Sequence, residues 1–146
     1  MNTRPWLEVE LSLQVEGSYV NPYIDLDIWA DFVHESGTRL RRPAFWDGGS
    51  TWRLRFASPG LSGRWTWKVA STSEAAGISP SHGELTVDAL GDRVEGNPFM
   101  QHGFWRLSPG RRNLIHADGR AALLVADTVW SLPWRATPEQ VEVYAA

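Results

Sequence analysis

Five runs in the first ninety residues alternate apolar and polar side chains one by one, a period that a helix cannot use and a strand requires. Leu7, Val9, Leu11 and Leu13 are spaced by Glu8, Glu10 and Ser12, and Ile24, Leu26, Ile28, Ala30 and Phe32 by Asp25, Asp27, Trp29 and Asp31. Trp52, Leu54 and Phe56 oppose Thr51, Arg53 and Arg55; Trp65, Trp67 and Val69 oppose Arg64, Thr66 and Lys68; Leu85 and Val87 close the series. One apolar and one polar face per strand predicts antiparallel sheet solvated on one side. Turn formers fall between the runs: Asn21-Pro22, Ser36-Gly37, Asp47-Gly48-Gly49-Ser50 and Ser58-Pro59-Gly60. The expected fold class is therefore all-β, an antiparallel β-sandwich of Ig-like or jelly-roll-like type. The small polar residues of 71–81 read as a mobile loop within it.

The pattern changes after residue 97. Residues 104–107 and 114–116 are short strand-like pieces divided by Ser108-Pro109-Gly110, and Asp118-Gly119 makes the next turn. Residues 121–126 are apolar at every position, which fits a strand covered on both faces as in a parallel sheet. Thr137-Pro138-Glu139-Gln140 then marks a helix start. Thr137 suits the cap, Pro138 the first turn and Gln140 the third position of a capping box. Val141, Tyr144 and Ala145 begin an apolar face at helical spacing. One strand and one helix cannot cover a parallel sheet, so the expectation is a complete sandwich over 1–94 and the opening of an unfinished α/β domain over 95–146.

Composition narrows the function classes. A net charge of −3 gives no basic face for electrostatic nucleic-acid binding. No run of eighteen apolar residues spans a membrane. The absence of cysteine excludes a disulfide framework, thiol catalysis and a thiolate metal site. No apolar stretch follows Arg4, so no signal peptide is read and a cytoplasmic location is expected. Nine tryptophans in 146 residues mean either a bulky core or rings held out for a flat ligand.

Asn21-Pro22-Tyr23, Phe45-Trp46-Asp47-Gly48-Gly49, the run 52–56 and Gly63-Arg64-Trp65-Thr66-Trp67 together resemble the N-terminal β-sandwich domain of unknown function found ahead of certain glycoside hydrolases. Asn97-Pro98-Phe99, His102-Gly103-Phe104, Asp118-Gly119 and the run 126–130 resemble the start of the apiosidase-like TIM barrel that follows it. The resemblance implies that residues 95–146 are the truncated first βα unit of a TIM barrel. It also implies a parent enzyme that hydrolyses glycosidic bonds in plant-type glycans. The acid and nucleophile carboxylates of such barrels lie on later strands, so no catalytic residue is expected in this chain, which alone should be inactive. Gly119-Arg120-Ala121-Ala122 departs from the family's usual small residue, proline and aromatic, and suggests a diverged member.

Several residues are candidates for chemistry. Asp127 ends the run 121–126, and barrel sites are built at that end of the strands. It would hold sugar hydroxyls or orient a catalytic group; otherwise it caps its own loop. Trp130 and Trp134 would stack on a sugar beside it, or pack the loop against the sandwich. Trp29 and Trp46 are the sandwich's own candidates for glycan stacking, or for docking the sandwich on the barrel. Asp25, Asp27, Asp31, Glu8 and Glu10 read as solvated faces, since alternate positions on a straight strand do not wrap a cation. His34, His82, His102 and His116 have no metal-ligand spacing, and neither metal nor cofactor is expected. Ser62 lies in no nucleophile elbow. Arg39, Arg41, Arg42, Arg53 and Arg55 form a basic cluster best read as a solvated face or an interdomain contact. The expected partner is a carbohydrate bound through the absent barrel, with neither nucleic acid nor membrane. The competing reading is a stand-alone sandwich that binds glycan or another protein.

Overall fold

The computed structural model describes residues 1–73, 77–89, 97–126 and 128–145. Its main body is one curled, mixed sheet built from β1 (Asn2–Thr3), β2 (Val9–Val15), β3 (Ile28–His34), β4 (Arg39–Trp46), β5 (Thr51–Phe56), β6 (Gly63–Ser71), β7 (Ile78–Ser79) and β8 (His82–Val87). The spatial order is β1-β8-β6-β3-β4-β5-β2-β7. Strand β4 makes the curl, because its first part pairs with β3 (Val33 opposite Arg39 to Trp29 opposite Pro43) and its last residues pair with β5 (Ala44 opposite Leu54 to Trp46 opposite Trp52). The change falls beside Pro43, which has no N–H for a ladder on either side.

The curl brings two arms face to face. Phe32 of β3 stacks on Phe56 of β5 with centroids 4.0 Å apart and planes 12° apart, and Phe56 meets the edge of Trp65 of β6 at 5.1 Å. Around them Leu13, Leu54, Ile28, Ala30, Trp52, Trp67, Leu85 and Val87 are buried. These are the apolar positions of the alternating runs, so the period-two reading holds for this core. Gly83 lies opposite Trp67 in the β6–β8 register, and a Cβ on Gly83 would sit 2.6 Å from the Trp67 ring. The glycine is therefore what lets the indole cross β8.

The outer face is polar and internally paired. Arg53 bridges Glu10 and Asp47, each at 2.5 Å, and Arg55 reaches Glu10 at 3.0 Å and Glu8 at 3.5 Å while lying over the Phe45 ring. Arg41 forks onto Asp31 at 2.7 and 2.8 Å. Much of the basic cluster seen in the sequence is thus matched by carboxylates on neighbouring strands, as cross-strand pairing favours.

Several expectations need correction. The run from Ile24 does not begin as a strand: α1 (Pro22–Asp25) occupies its start, leaving Ile24 80% exposed and Leu26 only 2% exposed. Asn21 caps this turn by accepting from the Tyr23 N–H, and Pro22 presets its first φ. The sheet is not purely antiparallel, since β1 runs parallel to β8, with no hairpin between them to impose direction. Strand β4 is absent from the alternating runs because its inward positions, Leu40, Arg42, Ala44 and Trp46, are only half-buried and include an arginine. Within 71–81, Ile78 and Ser79 pair with Val15 and Gln14 of β2; residues 74–76 lie outside the described residues.

The later segment is different in kind. The strands β9 (Arg106–Leu107), β10 (Leu114–Ile115) and β11 (Ala121–Ala122) form a small antiparallel sheet after α2 (Pro98–His102). The apolar run 121–126 is not a covered strand here. Only its first two residues pair, and Leu123 is 86% exposed, because no described element lies over it. Two helices follow, α3 (Leu132–Arg135) and α4 (Pro138–Ala145). The capping box of α4 forms as read: the Gln140 N–H donates to Thr137 Oγ1 at 3.3 Å and the Thr137 N–H to Gln140 Oε1 at 2.9 Å. No helix among the described residues is long and apolar enough to cross a membrane.

Two predictions follow from this packing and charge pattern. Gly83→Ala should force Trp67 aside and lower the free energy of urea unfolding by about 1–3 kcal/mol. Hydrogen bonds from Arg53 and Arg55 hold the Glu10 carboxyl below its ordinary range. A carboxyl depressed on folding contributes stability above its unfolded pKa and loses it as pH falls through the folded one. The unfolding midpoint should therefore drop as pH falls below about 4.5, and Arg53→Gln should shrink that acid-side slope; an unchanged slope would contradict the pairing.

Candidate functional site

Three local devices build a cleft at the end of the sheet where β4 and β5 turn over. Asp47-Gly48-Gly49-Ser50 closes the β4–β5 hairpin, with Gly48 at φ +101° and Gly49 at φ +53°, values that glycine reaches freely. The Trp46 indole N–H donates to the Gly49 carbonyl at 2.9 Å, so the hairpin fixes the ring. The capped α1 turn holds Tyr23 edge-on to Trp46, with centroids 5.2 Å apart and planes 89° apart. Gly17, at φ +116°, turns the chain so that Tyr19 folds back over it. The cleft has a volume of about 310 Å³, and Tyr19, Trp46, Trp52, Ser18 and Ser50 contribute to its wall. The sequence pointed to Trp46 alone. Tyr19 and Trp52 join it through register and turn geometry, which no residue pattern announces.

Trp29 lies elsewhere. It stands on the outer face of β3, opposite Pro43, whereas Trp46 projects from the other face of β4 and packs against the core. The two rings therefore do not share a platform. Arg41 covers the Trp29 ring at 4.8 Å. Among the described residues the buried Trp29 Nε1 meets no acceptor in hydrogen-bonding geometry, although its N–H helps to hold the neighbouring Asp31 carboxyl low. Arg41, first of all, holds the Asp31 carboxyl below its ordinary range. Next to this pair, Val33, Thr66 and Ala70 leave a shallow groove of about 770 Å³ between the longer Arg39, Lys68, His82 and Glu84.

Asp127, the leading carboxylate of the sequence reading, lies outside the described residues. Its companions are close together: the Trp134 Nε1–H donates to the Trp130 carbonyl at 3.1 Å, and Arg135 lies over the Trp134 ring at 4.3 Å. Trp130 is 83% exposed and Trp134 69% exposed.

The contact between the two parts runs through Trp6. Its ring meets Phe104 at 5.2 Å and lies where a Cβ on Gly60 or Gly103 would be, 2.7 and 2.6 Å away. Behind Phe104, Phe99 touches Trp105 and His116. His116 Nδ1–H donates to the Gly103 carbonyl at 2.8 Å, and its Nε2 accepts from the Trp105 indole at 3.4 Å. His102 Nε2 accepts from Arg120 at 3.2 Å, so its Nδ1–H donates to Asp118 at 2.8 Å. The Arg120 backbone N–H, ahead of His102, holds the Asp118 carboxyl low. Both histidines thus have structural partners on each nitrogen. Among the described residues no group of three His, Asp or Glu side chains is placed to hold a metal ion.

Comparison with known proteins bears on the fold. Residues 2–72 match a family described as a domain of unknown function (DUF5060). The match covers β1 to β6, although β7 and β8 complete the same sheet. No curated protein matches the chain. Among solved structures the chain is similar to a "putative glycoside hydrolase" from Bacteroides vulgatus, with a TM-score of 0.60 and 24% identity over 83% of this chain. The alignment takes in 21% of that protein, so this chain spans about a fifth of its length. At this identity the likeness is one of fold.

Proposed function

We propose that the chain is the N-terminal, non-catalytic portion of a glycoside hydrolase that acts on plant-type or related glycans. Residues 1–94 are its β-sandwich accessory domain, and residues 95–146 are the first βα unit of an apiosidase-like TIM barrel. The observation that carries this reading is a contrast in burial. The curled sheet covers its own apolar face, whereas Leu123, Leu124, Val125, Trp130, Trp134, Val143 and Tyr144 are all exposed. So many large exposed apolar groups within one short stretch of chain are what the edge of a larger core leaves when its other side is absent. The fold likeness to a much longer chain described as a hydrolase supports the same reading.

In this arrangement the loop after the first barrel strand carries Asp127, Trp130 and Trp134 to the mouth of the barrel, where they contact the sugar. Paired carboxylates for glycoside hydrolysis stand several ångströms apart across the scissile bond. Glu10, Asp31, Asp47 and Asp118 are each engaged by arginine or histidine. On this reading the acid and the nucleophile or base come from the rest of the barrel. The sandwich packs on that barrel within one polypeptide.

The test compares this chain with the polypeptide encoded when the reading frame is continued past the Ala146 codon. Reducing ends released from xyloglucan, arabinoxylan and pectin are measured for both. The longer polypeptide should hydrolyse at least one of them and the 146-residue chain none. In the longer polypeptide Asp127→Asn should lower kcat/KM by about 100-fold through lost positioning. Hydrolysis by the short chain, or a stop codon directly after Ala146, would contradict the reading.

A further inference from the structure

We propose that the cleft between Tyr19, Trp46 and Trp52 is a binding subsite for an uncharged sugar ring, separate from the barrel. Its walls come from Val15, Gly17, Ser18, Tyr19, Val20 and Pro22 on one side, with the β4–β5 hairpin opposite. None of its lining residues is charged. Of the carboxylates in the same two loops, Asp25 accepts from the Asn21 N–H at 2.9 Å, Asp47 pairs with Arg53, and Glu16 lies against Gly77 and does not line the cleft. The cleft lining is therefore uncharged, at the end of the inner side of the sheet, from which the paired arginines and carboxylates of the outer face are turned away. The outer-face groove, by contrast, is lined by charges of both signs.

Neutral walls alone would suit any uncharged ligand, and two further features favour a sugar. The first is chemical. The half-buried Tyr19 and Trp46 rings offer flat surface to the C–H side of a pyranose over a floor of buried Trp52. Ser18 lines the same space with Ser50, whose hydroxyl donates to Gln14 Oε1 at 2.9 Å. A volume of about 310 Å³ is at the small end for ligand sites, which run from about 300 to 1,000 Å³. The second is preorganisation. The Gly49 carbonyl and Tyr23 fix Trp46 before any ligand arrives, so little ordering cost falls on binding. At the rim Val20, Tyr23 and Ile24 stand exposed, an apolar lip on a loop where solvent would favour polar side chains. Choosing a sugar among neutral ligands rests on the glycan reading above. The cleft itself lies wholly within residues 15–52, so binding there is measured without hydrolysis.

The experiment uses the 146-residue chain labelled with nitrogen-15 and follows the indole N–H resonances during titration with cellohexaose, xylohexaose and, as an acidic control, an oligogalacturonide. A neutral hexasaccharide should shift the Trp46 and Trp52 signals saturably and leave Trp65 unmoved. The oligogalacturonide should bind at least tenfold more weakly. Tyr23→Ala removes the ring that holds Trp46 edge-on and should weaken binding about tenfold with at most a small drop in the unfolding midpoint. Trp46→Ala should abolish binding, and Ser18→Trp, which fills the cleft from an exposed position, serves where Trp46→Ala fails to fold. No shift with either neutral sugar would overturn the proposal, as would shifts confined to other tryptophans or undiminished binding by Ser18→Trp. If the longer polypeptide hydrolyses glycan while the cleft stays silent, the subsite fails and the hydrolase reading stands. Binding at the cleft without hydrolysis by the longer chain gives the reverse result.

Discussion

The stack of Phe32 on Phe56, closed by the edge of Trp65, is the contact on which the rest of the molecule depends. It joins a strand on one side of the curl to a strand on the other. Without it the arms would have no reason to face each other, and each would expose an apolar surface. Such pairs add about 0.5–1.5 kcal/mol beyond the area they bury, and here they sit at fully buried positions. The curl also needs β4 to serve both arms, which Pro43 permits by ending one ladder where the next begins.

That geometry sets what can function and where. Closing the arms turns charged positions outward, and there Arg41, Arg53 and Arg55 spend their charge on neighbouring carboxylates. Surface pairs of this kind add little stability, but they leave few unpaired charges on those strands. The same closure bends the β4–β5 hairpin and the loop before β3 toward each other, which creates the neutral aromatic cleft. At the other end Trp6 carries the contact to the later segment, held where two glycines leave room for its ring. Beyond β11 that segment makes no core of its own among the described residues.

Legibility in the sequence followed the physics of each element. Alternation identified β2, β5, β6 and most of β3 because each buries nearly all of one face. Strand β4 escaped notice because its inward face is only half-buried and contains Arg42. The start of the second run misled for another reason: Asn21-Pro22 is both a turn signal and a helix cap, and here capping won. The capping box at Thr137 and Gln140 was readable since its partners are three residues apart. The cleft was not readable, because Tyr19, Trp46 and Trp52 meet through a hairpin register and a loop that folds back. Trp29 and Trp46 looked alike as sequence, yet strand parity puts them on opposite faces.

The described residues divide into a curled sheet that buries its own apolar face and a later segment that leaves Leu123, Trp130 and Trp134 exposed. Hydrogen exchange of the 146-residue chain, resolved by mass spectrometry, measures that most directly. Amides in β3, β5 and β6 should exchange only through global unfolding, while those of residues 128–145 exchange much faster, through local opening of α3 and α4. Equal protection of both regions, lost together in one transition, would contradict the account.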